Sequence, residues 1–171
     1  SQSRPFYNSS SIMGLTPINE QTYLEFANRH FASNGKIITP EAFHNLYNRF
    51  EGITWYIQYV LNMLYSSRSD KREMTEDDVE TIIYNILSQH KFAYQALLYQ
   101  LTTKQKQVLI AIAHERKPSS LLSQEFLHRY QLGASTVQGA VKTLLERDFI
   151  TQDEGTYQLC DKFMEIYLNE E

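Results

Sequence analysis

Between Ala134 and Arg147 the chain carries a series of short polar groups able to read another macromolecule. Ser135, Thr136, Gln138, Gly139, Lys142, Thr143, Glu146 and Arg147 share one side of a helix if the residues between them take the other. Those residues are Val137, Ala140, Val141, Leu144 and Leu145, at i, i+3, i+4, i+7 and i+8, the pattern of one buried helical stripe. A helix in the major groove of DNA offers hydroxyls and amides to base edges, so Ser135, Thr136 and Gln138 are candidate base contacts, with Lys142 and Arg147 near phosphates. Gly139 would let a backbone approach closely. Opposing charges lie in the same stretch: Glu146 and Asp148 flank Arg147, and Asp153-Glu154 is acidic. The competing reading is a solvated face on a surface that docks protein.

Other chemistries find little support. His30, His44, His90, His114 and His128 share no ligand-like spacing with one another or with Cys160, whereas a zinc site needs close pairs or CxxC clusters. A phosphate-binding loop requires G-x-x-x-x-G-K-[ST]; Gly35-Lys36 is followed by Ile37 and has no Gly five residues before it. No Ser/His/Asp or Cys/His arrangement has local support. Asp77-Asp78 reads as helix-end stabilisation. Tyr56, Tyr59 and Tyr65 could stack on bases, yet Tyr56 belongs to an apolar stripe. No catalytic or metal-binding residue is expected.

The elements that must hold the polar face follow from local signals. Ser135-Thr136-Val137-Gln138 reads as a capping box opening a helix. Phe149-Ile150-Thr151 and Thr156-Tyr157-Gln158-Leu159, joined at Asp153-Glu154-Gly155, read as a β-hairpin. Upstream, Thr102-Thr103-Lys104-Gln105 is a second capping box, ahead of Val108, Leu109, Ile112 and Ala113. A short helix carries Phe126, Leu127 and Tyr130, and Leu132-Gly133 makes the turn. Two helices, a third with a polar face and then a hairpin make a winged helix over residues 102–171. Such a unit usually marks a DNA reader or a docking module.

Four helices precede it in residues 16–101. Thr16-Pro17 is expected to open the first, burying Tyr23, Phe26, Ala27, His30 and Phe31 and stopping at Asn34-Gly35. Thr39-Pro40-Glu41 opens the second, with Phe43, Leu46, Tyr47 and Phe50 inward. Beyond Gly52, Ile53, Tyr56, Ile57, Val60, Leu61 and Leu64 form the third. Thr75 begins the fourth, whose apolar phase lapses over Ser88–Lys91, where a kink or break is expected. Strands are expected in the wing and at Ile12–Leu15. The fold class is mainly α, with a domain boundary near Leu101.

Apolar residues are 42% and charged residues 21% of 171, enough for a core. The net charge is −4, and residues 1–101 and 102–171 each hold eight Lys+Arg and ten Asp+Glu. Tight DNA binders usually make roughly 6–10 phosphate contacts, for which these cations are few. One cysteine and no membrane-length apolar run point to a cytoplasmic setting without membrane contact.

Taken in order, Gly52-Ile53-Thr54-Trp55-Tyr56-Ile57-Gln58, Leu101-Thr102-Thr103-Lys104-Gln105-Lys106, Leu132-Gly133-Ala134-Ser135-Thr136-Val137 and Tyr157-Gln158-Leu159-Cys160-Asp161-Lys162-Phe163 resemble the C-terminal part of prokaryotic, archaeal-type AAA+/STAND-related P-loop ATPases. The resemblance implies that residues 1–15 are the tail of a nucleotide-binding domain, 16–101 a helical lid and 102–171 a winged helix. It also implies ATP and Mg for the intact parent and none in this fragment. The partners would be the fragment's own N-terminal P-loop domain and DNA or a protein. In related lids a Gly-x-Pro segment lies near adenine, which makes Gly52, Ile53, Thr54 and Trp55 a nucleotide-lid candidate. Thr54 stands where that pattern has Pro, and the alternative is that Gly52 only breaks the helix and Trp55 only packs. A second reading of the whole chain is a free-standing winged-helix transcription regulator with a helical dimerisation or ligand domain.

Overall fold

The computed structural model describes residues 16–67 and 71–170; the expected strand at Ile12–Leu15 lies outside them. The chain divides into two compact units at Ser88–Gln89, whereas the sequence motifs suggest Leu101 as the boundary.

In the first unit, α1 (Glu20–Ala32) starts at Asn19, whose side chain accepts from Thr22 N–H at 3.2 Å. The expected start at Pro17 is corrected: the Tyr47 hydroxyl donates to the Ile18 carbonyl at 2.7 Å, using a group that a helix begun there would need. Tyr23, Ala27 and Phe31 are buried at i, i+4 and i+8. Phe26 and His30, expected inside, are exposed and pack edge-to-face at 4.8 Å. That buried face is one residue wide, narrower than the apolar composition suggests.

α2 (Pro40–Arg49) begins as expected, with the Thr39 side chain capping Ala42 N–H and Pro40 in the first turn. Between α1 and α2, β1 (Ile37–Ile38) pairs in parallel with β2 (Glu73–Met74), Ile37 opposite Glu73 and Ile38 opposite Met74. Strands are therefore not confined to the wing, because two residues are too few to display alternation. Asn28 covers the other edge of β1, accepting from Ile38 N–H at 2.8 Å and donating to its carbonyl at 3.2 Å. Lys36 is buried and donates to the Ser67 carbonyl at 2.6 Å, at the end of α3 (Thr54–Ser66), where a cation offsets the negative helix pole.

α4 spans Glu76–Tyr99 without interruption. The break expected at Ser88–Lys91 is absent. Those four residues are merely exposed, and none is a Gly or Pro that would stop a helix. Asp78 secures its start, accepting from the Thr75 N–H and hydroxyl, both at 2.9 Å, and pairing with Lys71. Burial pushes the Asp78 carboxyl up, but these hydrogen bonds together outweigh it and leave it below its ordinary value.

The second unit contains α5 (Thr103–Glu115), α6 (Gln124–Arg129), α7 (Ala134–Glu146), β3 (Ile150–Asp153), β4 (Thr156–Leu159) and α8 (Lys162–Glu170). The Thr102–Gln105 capping box forms with both reciprocal hydrogen bonds. Val108, Leu109, Ile112, Leu144, Ile150, Leu159 and Phe163 are almost wholly buried and make the core. α8 closes it, its first N–H groups capped by Asp161, which also accepts from the Tyr94 hydroxyl at 3.1 Å. Eight helices and two two-stranded sheets among the described residues make the protein mainly α.

Candidate recognition surface of the winged helix

α7 is placed by the turn before it. Gln131 takes a left-handed φ of 52°, Leu132 is buried, and Gly133 is the helix cap, its carbonyl accepting from Val137 N–H at 3.0 Å. The Ser135 capping box is corrected: no side chain caps α7, and Ser135 already lies inside its first turn. The helix starts earlier because the tight turn after α6 brings Gly133 to the cap position. This leaves the Ser135 hydroxyl on the surface.

Val137, Ala140 and Leu144 are buried, while Val141 and Leu145 are half-buried. Ser135, Gln138, Gly139 and Lys142 are exposed opposite them, and Thr136 is half-buried. A Cβ added at Gly139 would meet nothing within 4 Å. Lys142 lies 3.9 Å from Glu146, both side chains well exposed, a pairing that solvent screens heavily. The expected face thus exists from Ser135 to Lys142.

Arg147 is engaged differently. As the C-cap of α7, it donates to the Gln100 carbonyl at 3.1 Å and to the Gln100 side-chain oxygen at 2.7 Å, and its guanidinium lies 5.6 Å from the centre of the Phe149 ring. It fastens the end of α7 to the segment before α5. Local sequence could not reveal this, since the partners are far apart in the chain.

Arg129 is likewise committed, bridging Glu115 and Glu125. The Tyr130 hydroxyl donates to Glu115 at 2.9 Å; that bond, with Arg129, holds the Glu115 carboxyl below its ordinary value against the opposing effect of burial. Burial, and then the Glu115 carboxylate, push the Tyr130 phenol up.

The hairpin forms with Ile150 opposite Leu159 and Asp153 opposite Thr156. Its loop is Glu154-Gly155, with φ of 46° and 81°, the signature of a type I′ turn. The exposed tip therefore carries Asp153 and Glu154. Tyr157 N–H donates to the Pro118 carbonyl at 2.9 Å, which ties the loop after α5 to β4.

In the other unit, Gly52 is buried with φ of 70°, and a Cβ there would come within 2.7 Å of Pro17 and 2.8 Å of the Tyr47 hydroxyl. Ile53 caps α3 and is half-buried, and the exposed Thr54 accepts from the Tyr23 hydroxyl at 3.5 Å. Trp55 is half-exposed and stacks on Tyr59 at 5.6 Å with an interplanar angle of 6°. These four residues are contiguous at the start of α3.

No group of three or more His, Cys, Asp or Glu that could hold a metal ion occurs among the described residues. No helix among them is long and apolar enough to cross a membrane. No curated protein and no solved structure matches the chain significantly. The model of a family described as "Probable winged helix domain" matches residues 92–170. That span contains the three helices, the hairpin and α8; the C-terminal part of this mainly helical chain is a winged-helix domain.

Proposed function

We propose that the chain is the non-catalytic C-terminal part of a P-loop ATPase, in which helical lid residues 16–101 couple nucleotide state to a winged helix that docks a protein partner. Winged-helix domains bind DNA or protein, and the charge arrangement favours protein here. One observation carries that choice: the guanidinium groups of Arg147 and Arg129 are already engaged within the domain, while the wing tip presents Asp153 and Glu154. Tight DNA binding needs several Lys or Arg side chains on phosphates to release counterions, and an acidic wing tip works against it. The lid assignment is supported by the family resemblance of the ordered motifs. ATP and Mg would be held chiefly by the P-loop domain of the parent.

DNA reading is the second possibility, favoured by the exposed Ser135, Gln138 and Lys142 on one face of α7. Gel shifts at several salt concentrations separate the two. Protein docking predicts no shift at moderate salt, and none sensitive to α7 substitutions. A shift weakened for all sequences by Lys142→Ala, with sequence preference altered by Gln138→Ala, would establish DNA reading instead. The ATPase part is tested by the reading frame upstream of Ser1, where a G-x-x-x-x-G-K-[ST] motif is expected. A start codon there would favour the free-standing regulator.

A further inference from the structure

The start of α1 is held against the start of α3. Pro17 packs on Gly52 closely enough that a Cβ there would come within 2.7 Å of it. The Tyr47 hydroxyl donates to the Ile18 carbonyl at 2.7 Å, and the Tyr23 hydroxyl to the Thr54 carbonyl at 3.5 Å. Beside this anchor α3 carries an aromatic face. Trp55 is 52% exposed and stacks on the half-buried Tyr59. Gln58 and Asn62 continue that face at helical spacing, opposite the buried Ile57, Val60, Leu61 and Leu64. Ile18, next to Pro17, is 42% exposed as well.

We propose that Ile12-Met13-Gly14-Leu15 of the same chain returns from Pro17 and seats on the Trp55–Tyr59 face. The segment brings three aliphatic side chains within four residues, directly ahead of the anchored Pro17. That anchor fixes where the segment must leave. Tyr59 lies at most roughly 17 Å from Gly52, by three extended residues and one helical turn, and the five residues back from Pro17 to Ile12 span the same distance. Joining the two surfaces removes apolar area from water on both. Met13 suits the rings because its thioether is polarizable and packs favourably on aromatic side chains. Gly14 lets the backbone pass close to the helix. Neither the segment nor Trp55, Gln58, Tyr59 and Asn62 carries a charge, so seating buries none. Both surfaces belong to one chain, so the encounter is intramolecular and modest contacts suffice. Seated there, the segment covers the ring that a nucleobase would stack on in the nucleotide-lid reading. That competition rests on the proposed function; the seating itself does not.

Trp55, the single tryptophan, is the probe in the full 171-residue chain without nucleotide, with circular dichroism to verify folding. Ile12→Ser with Leu15→Ser should shift its emission to the red and steepen its quenching by acrylamide. Tyr84→Ser, at an exposed ring elsewhere in the first unit, should change neither. In a Cys160→Ser background, Met13→Cys with Gln58→Cys should oxidise to a disulfide within one chain. Met13→Cys with Asn48→Cys, next to the anchoring Tyr47 on α2, should not. Emission and quenching indifferent to the double serine variant overturn the proposal. So does a cross-link that fails at position 58, or one that forms equally at position 48. Nucleotide and winged-helix partners enter none of these outcomes, so this inference can fail independently of the proposed function.

Discussion

Arg147 holds Gln100 by two hydrogen bonds, one to its carbonyl and one to its side chain, and so ties the end of the polar helix to the residues preceding α5. One of the two cations expected near phosphates is therefore engaged within the domain itself. Arg147→Ala should lower stability by about 1 kcal/mol, the ordinary net value of such bonds. It should leave any binding by the Ser135–Lys142 face unchanged. Thermal denaturation and a gel shift or pull-down on the same variant check this; loss of binding without loss of stability would return Arg147 to the contact surface.

Leu144 is wholly buried beneath the exposed face. Leu144→Ala should cost roughly 2–5 kcal/mol, measurable by urea unfolding. A variant as stable as the parent would mean that α7 is set in the wrong rotation, and the polar face with it.

Two glycines with left-handed backbone should respond unequally. Gly155→Ala at the wing tip meets nothing within 4 Å and should lose only about 1 kcal/mol, the cost of a side chain at positive φ. Gly52→Ala adds a clash with Pro17 and Tyr47 to that cost, so its loss should be clearly the larger. Equal losses by chemical denaturation would show that the packing around Gly52 gives way freely.

The Glu115 cluster predicts a pH dependence. Because its carboxyl is held below its ordinary value in the folded protein, the unfolded chain binds the proton more readily. The stabilisation is then present above the unfolded value, about 4.3, and is lost as pH falls below it. Wild type should lose stability on acidification more steeply than Glu115→Gln, read from melting temperatures between neutral and acid pH. Parallel profiles would show that the network with Tyr130 and Arg129 contributes nothing.

Nucleotide should bind the isolated chain weakly and not be hydrolysed, because phosphate affinity rests mainly on a loop and a lysine that this sequence lacks. Trp55 is the single tryptophan and half-exposed, so its fluorescence reports directly on the lid candidate. A micromolar response to ATP would overturn that expectation.

The helices and the wing were legible in the sequence because their signals are local. The Thr102–Gln105 box, the stripe through Leu144 and the acidic-Gly hairpin each involve residues within a few positions of one another, and physical contacts at that range follow from periodicity alone. Three features needed the tertiary structure. Ser135 reads as a cap, but the left-handed Gln131 ahead of it moves the helix start to Gly133. β1 and β2 are two residues each and are separated in the chain by α2 and α3, so their pairing, with Asn28 completing the edge, shows only in the folded protein. Arg147 reads as a surface cation, yet Gln100, remote in the chain, claims its guanidinium. Composition set the sparse charge of the polar face; which of those charges faces outward depended on which partners folding brought within reach.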